Sequence, residues 1–214
     1  MMALLNDMKS EKDHPGQLKL VVSNNTNAEG LVFAEQNSIE TFAFNVEKIE
    51  DKLIFEEKTL HVLKDKSIDI ICLAGFMTIL SENFIESFSK PILNIHPSLL
   101  PSFKGLNTHE RALKAGCLIH GATVHQITSK VDDDPILGQT LIEITKNSSA
   151  KQLEEILLPH EHLLYKRVLR EFLKESGKKI LTINSAEDLQ NSRTSNSEKK
   201  KFISSLAVSA ESEP

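Results

Sequence analysis

Cysteine is nearly absent from this sequence, and the little there is carries no pattern. The 214 residues hold two, Cys72 and Cys117, too isolated for a disulfide framework or a zinc site. Cys72 lies inside the apolar run IDIICLAGF and reads as a small buried hydrophobe, while Cys117 sits in the turn-like stretch AGCLIHG. No metal is expected. Long hydrophobic runs are missing too, and none approaches the length that a membrane-spanning helix needs. The opening MMALLNDMKSEKDH turns polar too soon for a signal peptide. The expectation is a cytoplasmic protein with no membrane partner. Positive charge is not in surplus: 25 Lys and Arg against 30 Asp and Glu leave a formal charge of −5. That argues against nucleic acid as the main partner, because binding a phosphate backbone needs a basic surface. A local basic pocket for one small phosphate stays open. There is no internal repeat.

What is present suits a soluble globular protein. An apolar fraction of 40% with 26% charged residues, at this length, fits one domain plus a tail. A core of this size is buried without staples. Apolar runs with strand character alternate with helical patterns. Gln17–Val22 reads as a strand, and Thr26–Gln36 as a helix capped by Asn25 or Thr26. Glu40–Phe44 is a second strand, and Phe55–Lys66 suits an amphipathic helix. Ile68–Leu73 gives the strongest strand signal, apolar enough for burial on both faces of a parallel sheet. Ser81 opens a short helix, Ile92–Ile95 is a strand, and Thr108–Ala115 is a helix. Gly121–Thr128 and Ile136–Ile144 follow as strands, joined by a turn short enough for an antiparallel pair. Ser149–Glu175 gives a long helical pattern that Pro159 should kink or divide. The fold class is therefore α/β, an open and mostly parallel sheet flanked by helices, with an antiparallel strand pair in the C-terminal half. The domain spans 1–183, and 184–214 is a polar, disordered tail.

One segment concentrates chemistry. In Asn94-Ile95-His96-Pro97-Ser98 a strand ends by delivering an amide and an imidazole on the same face, where α/β sheets place their ligands. Such a pair also suits plain hydrogen bonding to loop carbonyls. A second constellation is His120-Gly121-Ala122-Thr123-Val124-His125, followed by Val131-Asp132-Asp133-Asp134-Pro135. An acidic triplet before proline is commonly a solvated turn. The functional alternative is that Asp132 reaches the His96 ring, orients it and raises its pKa. Asn94, His96 and Asp132 then form an acyl-transfer site. The Asn94 amide and a protonated His96 stabilise the oxyanion, and Asp132 accepts the proton from the attacking amine. No covalent nucleophile is needed.

NIHPSLLP, FKGLNTHERAL, HGATVH and the VDxxP turn, in that order, with AGFMTIL upstream, closely resemble the phosphoribosylglycinamide formyltransferase family. The resemblance runs from about Met2 to Phe172. It implies the formyltransferase, Rossmann-like fold and transfer of a formyl group from 10-formyltetrahydrofolate to the amine of glycinamide ribonucleotide, in purine biosynthesis. It places the catalytic trio on Asn94, His96 and Asp132, of which Asn94 and Asp132 also contact the folate, with the pocket lined by Met77, Thr78, Ile79 and Leu80. Pro97 and Glu161 would meet the nucleotide, Glu161 at its ribose, with His125 and Ser98 in support. A monomer or homodimer is expected.

The sequence departs from the family's pattern at Thr78, where Arg is usual, and at Asn107, where His is frequent. Asp133-Asp134 stands where the family has glycine-containing pairs, and Leu158 where some members have Gln. Family members also begin with a buried central strand and a Gly-x-Gly-Ser-Asn phosphate loop. Here the sequence opens on the helix that would follow. The expectation is that the natural protein is longer by that strand and loop, and that its absence leaves neighbouring strand edges unpaired. Formyltetrahydrofolate deformylase, which uses water as acceptor, and an inactive truncated form remain as alternatives. Methionyl-tRNA formyltransferase is a further relative, but it normally carries a C-terminal nucleic-acid-binding β-barrel for which the stretch after Asn184 reads as too short and polar.

Overall fold

A computed structural model describes residues 1–10, 13–129 and 134–174. The division expected between 183 and 184, and the tail beyond it, lie outside the described residues. The order is α1 (Met2–Ser10), β1 (Leu20–Ser23), α2 (Glu29–Gln36), β2 (Glu40–Ala43), α3 (Ile49–Asp65), β3 (Ile71–Leu73) and α4 (Glu82–Phe88). Then come β4 (Ile92–His96), α5 (Thr108–Lys114), β5 (Ile119–Gln126), β6 (Ile136–Glu143) and α6 (Ala150–Lys174). No helix among the described residues is long and apolar enough to cross a membrane.

Two sheets result rather than one. Strands β1 and β2 pair in parallel, and β3-β4-β5-β6 form a mixed sheet, parallel at β3–β4 and antiparallel beyond. Among the described residues no backbone hydrogen bond joins β1 to β3. A cavity of about 770 Å³ separates them, lined by Val22, Leu31, Phe55 and Leu73 among others. Both strands thus present an open edge to it. A hydrogen bond of 3.1 Å from Asn24 to Thr78 links the loops that follow the two strands.

Alternation along β4 divides its side chains between two cores. Leu93 joins Leu4, Val124, Tyr165, Leu169 and Phe172 beneath α1 and α6. Ile92 joins Leu63, Leu80, Phe84 and Phe88 beneath α3 and α4 on the opposite face. The Tyr165 hydroxyl donates to the Leu93 carbonyl at 2.9 Å, pinning α6 to the strand that carries the site. Arg170 holds buried Asp7 through two bonds of 2.6 and 2.7 Å, so α1 is locked to α6 as well.

Several boundaries differ from the sequence reading for physical reasons. Helix α2 starts at Glu29 with Ala28 as its N-cap, not Asn25 or Thr26. Thr26 is occupied elsewhere, its backbone N–H and hydroxyl both bonded to Asn45 at 2.8 and 3.0 Å. Helix α3 starts one and a half turns before Phe55, because the Asp51 carboxylate accepts the Lys48 N–H at 3.0 Å and fixes the first turn there. Helix α6 runs undivided through Pro159. Leu153, Leu157, Tyr165 and Leu169 on either side of the proline are all buried on the sheet. Their packing outweighs the loss of one backbone hydrogen bond.

Candidate active site

Strand β4 ends at its carboxyl edge with Asn94 and His96 on one face. In the antiparallel ladder with β5, Asn94 lies opposite His125 and His96 opposite Thr123. The Asn94 amide nitrogen stands 3.1 Å from His125 Nε2. As the amide NH₂ is a donor, Nε2 is the acceptor there. His96 Nε2 lies 3.1 Å from the Phe103 carbonyl oxygen, leaving Nδ1 as its other polar atom.

The segment after His96 folds back on β5 and is held by one hydroxyl. Thr123 Oγ1 donates to the Ser98 carbonyl at 2.7 Å and accepts from the Leu100 N–H at 3.0 Å and from Gln139 Nε2 at 2.9 Å. Ser98 is fully buried, and its hydroxyl donates to the Ser102 carbonyl at 2.7 Å. Its role is to shape the loop. Positive φ angles at Phe103, Gly105 and Asn107 turn the chain back towards α5. Arg111 braces the bend by donating to the carbonyls of Lys104 and Leu106.

Three further histidines surround His96. Buried His120 lies on β5, with Nε2 3.0 Å from His109 Nδ1 and the two rings edge to face. Burial, then the neighbouring His109 and His96, pushes His120 down to about 4. Burial also lowers His109 and His125, with Glu154 and Asp134 respectively pulling the other way. These imidazoles are therefore neutral at pH 7. The unfolded chain binds their protons near pH 6.5 while the folded chain resists. Their contribution to stability is thus present above pH 6.5 and is lost as pH falls below it, for His120 through about 4. His120→Gln should flatten that loss, by on the order of 2 kcal/mol, in a comparison of unfolding free energy at pH 7 and pH 5.

Asp132 lies outside the described residues, so its expected contact with His96 is not placed. Asp134 is described: one carboxylate oxygen accepts the Thr128 N–H at 2.9 Å and the other lies 3.2 Å from His125 Nδ1. In the expected folate-lining segment, Met77 and Ile79 are exposed and Thr78 accepts the Asn24 amide. Leu80 packs in the core beside Phe84, leaving only its backbone to meet a ligand. Glu161 is half-buried on α6, and burial, with Glu154 adding to it, pushes its carboxyl up to about 7. Pro97 sits half-buried directly after His96. The cavity between β1 and β3 is lined by neither Asn94 nor His96, so the chemistry and not that void locates the site. Sequence reasoning did not assign Thr123, His109, His120 or Asp134. The alternation of β5 that puts Thr123 and His125 on one face was the signal available for the first.

Comparison with known proteins supplies the remaining findings. The formyl transferase family matches residues 1–169. The human trifunctional purine biosynthetic protein adenosine-3 is 38% identical over 166 residues, covering 78% of this chain and 16% of its own length. This chain therefore spans about a sixth of that relative. A phosphoribosylglycinamide formyltransferase of Haemophilus influenzae is 37% identical over 160 residues, covering 75% of this chain and 76% of its own. The crystal structure of such an enzyme from Brucella melitensis superposes with a TM-score of 0.74 at 40% identity, over 80% of this chain and 88% of that one.

Proposed function

The chain belongs to the formyl transferase family, and from that premise we propose that it moves a formyl group from 10-formyltetrahydrofolate to the amine of glycinamide ribonucleotide, a step of purine biosynthesis. The observation that carries the reading is the end of β4. There Asn94 and His96 share one face, and His125 occupies only one of the two Asn94 amide protons. The other is available to an oxygen that becomes negative during reaction.

In this reading the nucleotide amine attacks the formyl carbon and a tetrahedral oxyanion forms. Asn94 donates its second N–H to that oxygen, and His96, protonated, donates beside it. Asp132 receives the proton leaving the attacking nitrogen, directly or through water. The bond from the formyl carbon to N10 of the folate then breaks, N10 takes up the proton that Asp132 received, and the formylated amide leaves. Met77 and Ile79 offer exposed apolar surface to the folate, with Thr78 and the Leu80 backbone between and beside them. Glu161, with a carboxyl that holds its proton near neutrality, donates to or accepts from a ribose hydroxyl. Pro97 stiffens the turn beneath the nucleotide, and Ser98 and His125 support the trio. The reading extends to a cytoplasmic enzyme, monomer or homodimer, with its formyltransferase domain in 1–183 and a polar tail at 184–214.

The test is the rate of 10-formyltetrahydrofolate consumption by the 214-residue chain, with and without glycinamide ribonucleotide. Consumption that requires the nucleotide is the expected result. Consumption without it would make the protein a hydrolase of the same folate. No consumption under either condition would remove the catalytic reading from this chain.

A further inference from the structure

Asp134 is a carboxylate that the reaction above does not use, and it lies beside the histidine that holds Asn94. Its Oδ1 accepts from Thr128 twice, at 2.9 Å from the backbone N–H and 3.3 Å from the hydroxyl. Those two bonds tie Asp134 to Thr128, just beyond the end of β5. Its Oδ2 lies 3.2 Å from His125 Nδ1. The contact is of ion-pair length, and buried Nδ1 has no other partner among the described residues. Asp134 is the one anionic group in ion-pair contact with it among the described residues.

The far side of the ring makes this contact consequential. Nε2 of His125 faces the Asn94 amide at 3.1 Å, and two arrangements satisfy that contact. With the proton on Nδ1, Nε2 is a bare acceptor and the Asn94 nitrogen must turn towards it. With the proton on Nε2, the Asn94 oxygen must turn towards it and the amide is reversed. The second arrangement directs the Nδ1 lone pair at the Asp134 carboxylate, which is repulsive. The first directs an N–H at it, which is attractive. His125 is held neutral by burial, so the choice lies between these two tautomers and not with the cation.

We propose that Asp134 is a positioning residue: it fixes His125 in the Nδ1–H tautomer and thereby sets on which side of the Asn94 amide the nitrogen stands. The second N–H of Asn94 then points to one place, and that place is where the oxyanion of formyl transfer must form. The proposal rests on the formyl-transfer reading for its kinetic consequence but not for the tautomer itself. In the family that this chain resembles, the corresponding loop usually ends in glycine, which has no side chain to reach His125. The device is therefore carried by this chain's own departure from that pattern.

The test uses the full chain with ¹⁵N-labelled histidine, as wild type, Asp134→Asn and Asp134→Gly, with His125→Gln to assign the resonances. Asp134→Asn keeps an oxygen for Thr128 and so preserves the loop if Asp134→Gly does not fold. The wild type should show His125 mainly as the Nδ1–H tautomer, and both variants should shift it towards Nε2–H. In the transfer assay kcat should fall roughly tenfold, as for loss of a charge-assisted contact, while KM for the folate changes by less than roughly twofold. An unmoved His125 tautomer in the variants overturns the proposal, whatever happens to kcat. A tautomer that shifts in the variants, when the wild-type chain shows no nucleotide-dependent transfer, sustains the role of Asp134 and sinks the transferase reading instead.

Discussion

Replacing His96 with alanine lowers nucleotide-dependent formyl transfer about a thousandfold, with the fold retained. The magnitude follows from removing one of two donors to a developing oxyanion, together with whatever proton transfer the ring performs. The ring is half-buried at the end of β4 and contributes one contact to the fold, from Nε2 to the Phe103 carbonyl at 3.1 Å. Losing that contact releases a bend already braced by Arg111 and Ser98, so thermal unfolding should move little. The measurement is kcat and KM beside a melting curve. A purely structural histidine would lower the melting temperature and raise KM while sparing kcat. A kcat near the wild-type value removes His96 from the chemistry. Asp132→Asn should produce a loss of similar order through the proton leaving the amine, and a normal turnover there would displace Asp132 in the same way.

The second large effect concerns stability. A Cβ placed on Gly121 would lie 2.0 Å from the Thr140 carbonyl oxygen and 2.8 Å from Leu99 Cδ2. The nearer obstacle is the backbone of β6, in a ladder that pairs Ile119 through His125 with Glu143 through Ile136. Relief therefore requires the two strands to separate where Thr123 holds the loop after His96. Gly121→Ala should cost on the order of 3 kcal/mol, a drop of roughly 10 °C in melting temperature for a chain of this size. Gly138→Ala is the informative comparison, since its closest obstacles are the side-chain tips of Val168 and Leu164 at 2.7 and 3.2 Å. Those tips rotate and the cost there should be smaller. Equal melting temperatures for Gly121→Ala and the wild type would show that the strands yield easily.

The alternation of elements was readable because each depends on local periodicity. Ile92–His96 alternates between two cores, and α6 repeats Leu153, Leu157, Tyr165 and Leu169 on one side. The ends were less readable, because they depend on partners distant in sequence. Asn45 captures Thr26 from 19 residues away, and Asp51 starts α3 beneath Ile49 and Leu53, which remain exposed and so blurred the helical pattern. Within the site, Asn94 and His96 announced themselves by their spacing on one strand. The Thr123 hydroxyl did not, since its three partners come from the loop after β4 and from β6. Asp134 looked like turn solvation because nothing local shows that a strand pairing brings His125 within 3.2 Å of it.

The separation of β1 from β3 also bears on how the molecule holds together. Ladders transmit order from strand to strand, and none crosses that gap among the described residues. Communication there passes through side chains instead, such as Leu20 against the cluster of Leu63, Phe84 and Ile92, and through the bond from Asn24 to Thr78. Side-chain contacts loosen without the all-or-none cost of breaking a ladder, so the smaller sheet is expected to open at a lower free energy than the β3–β6 sheet, as amide exchange would read. Thr78, on the expected folate-binding segment, is tied directly to that unit. Order in the β1–β2 sheet and the shape of the segment that would hold the folate are therefore energetically linked.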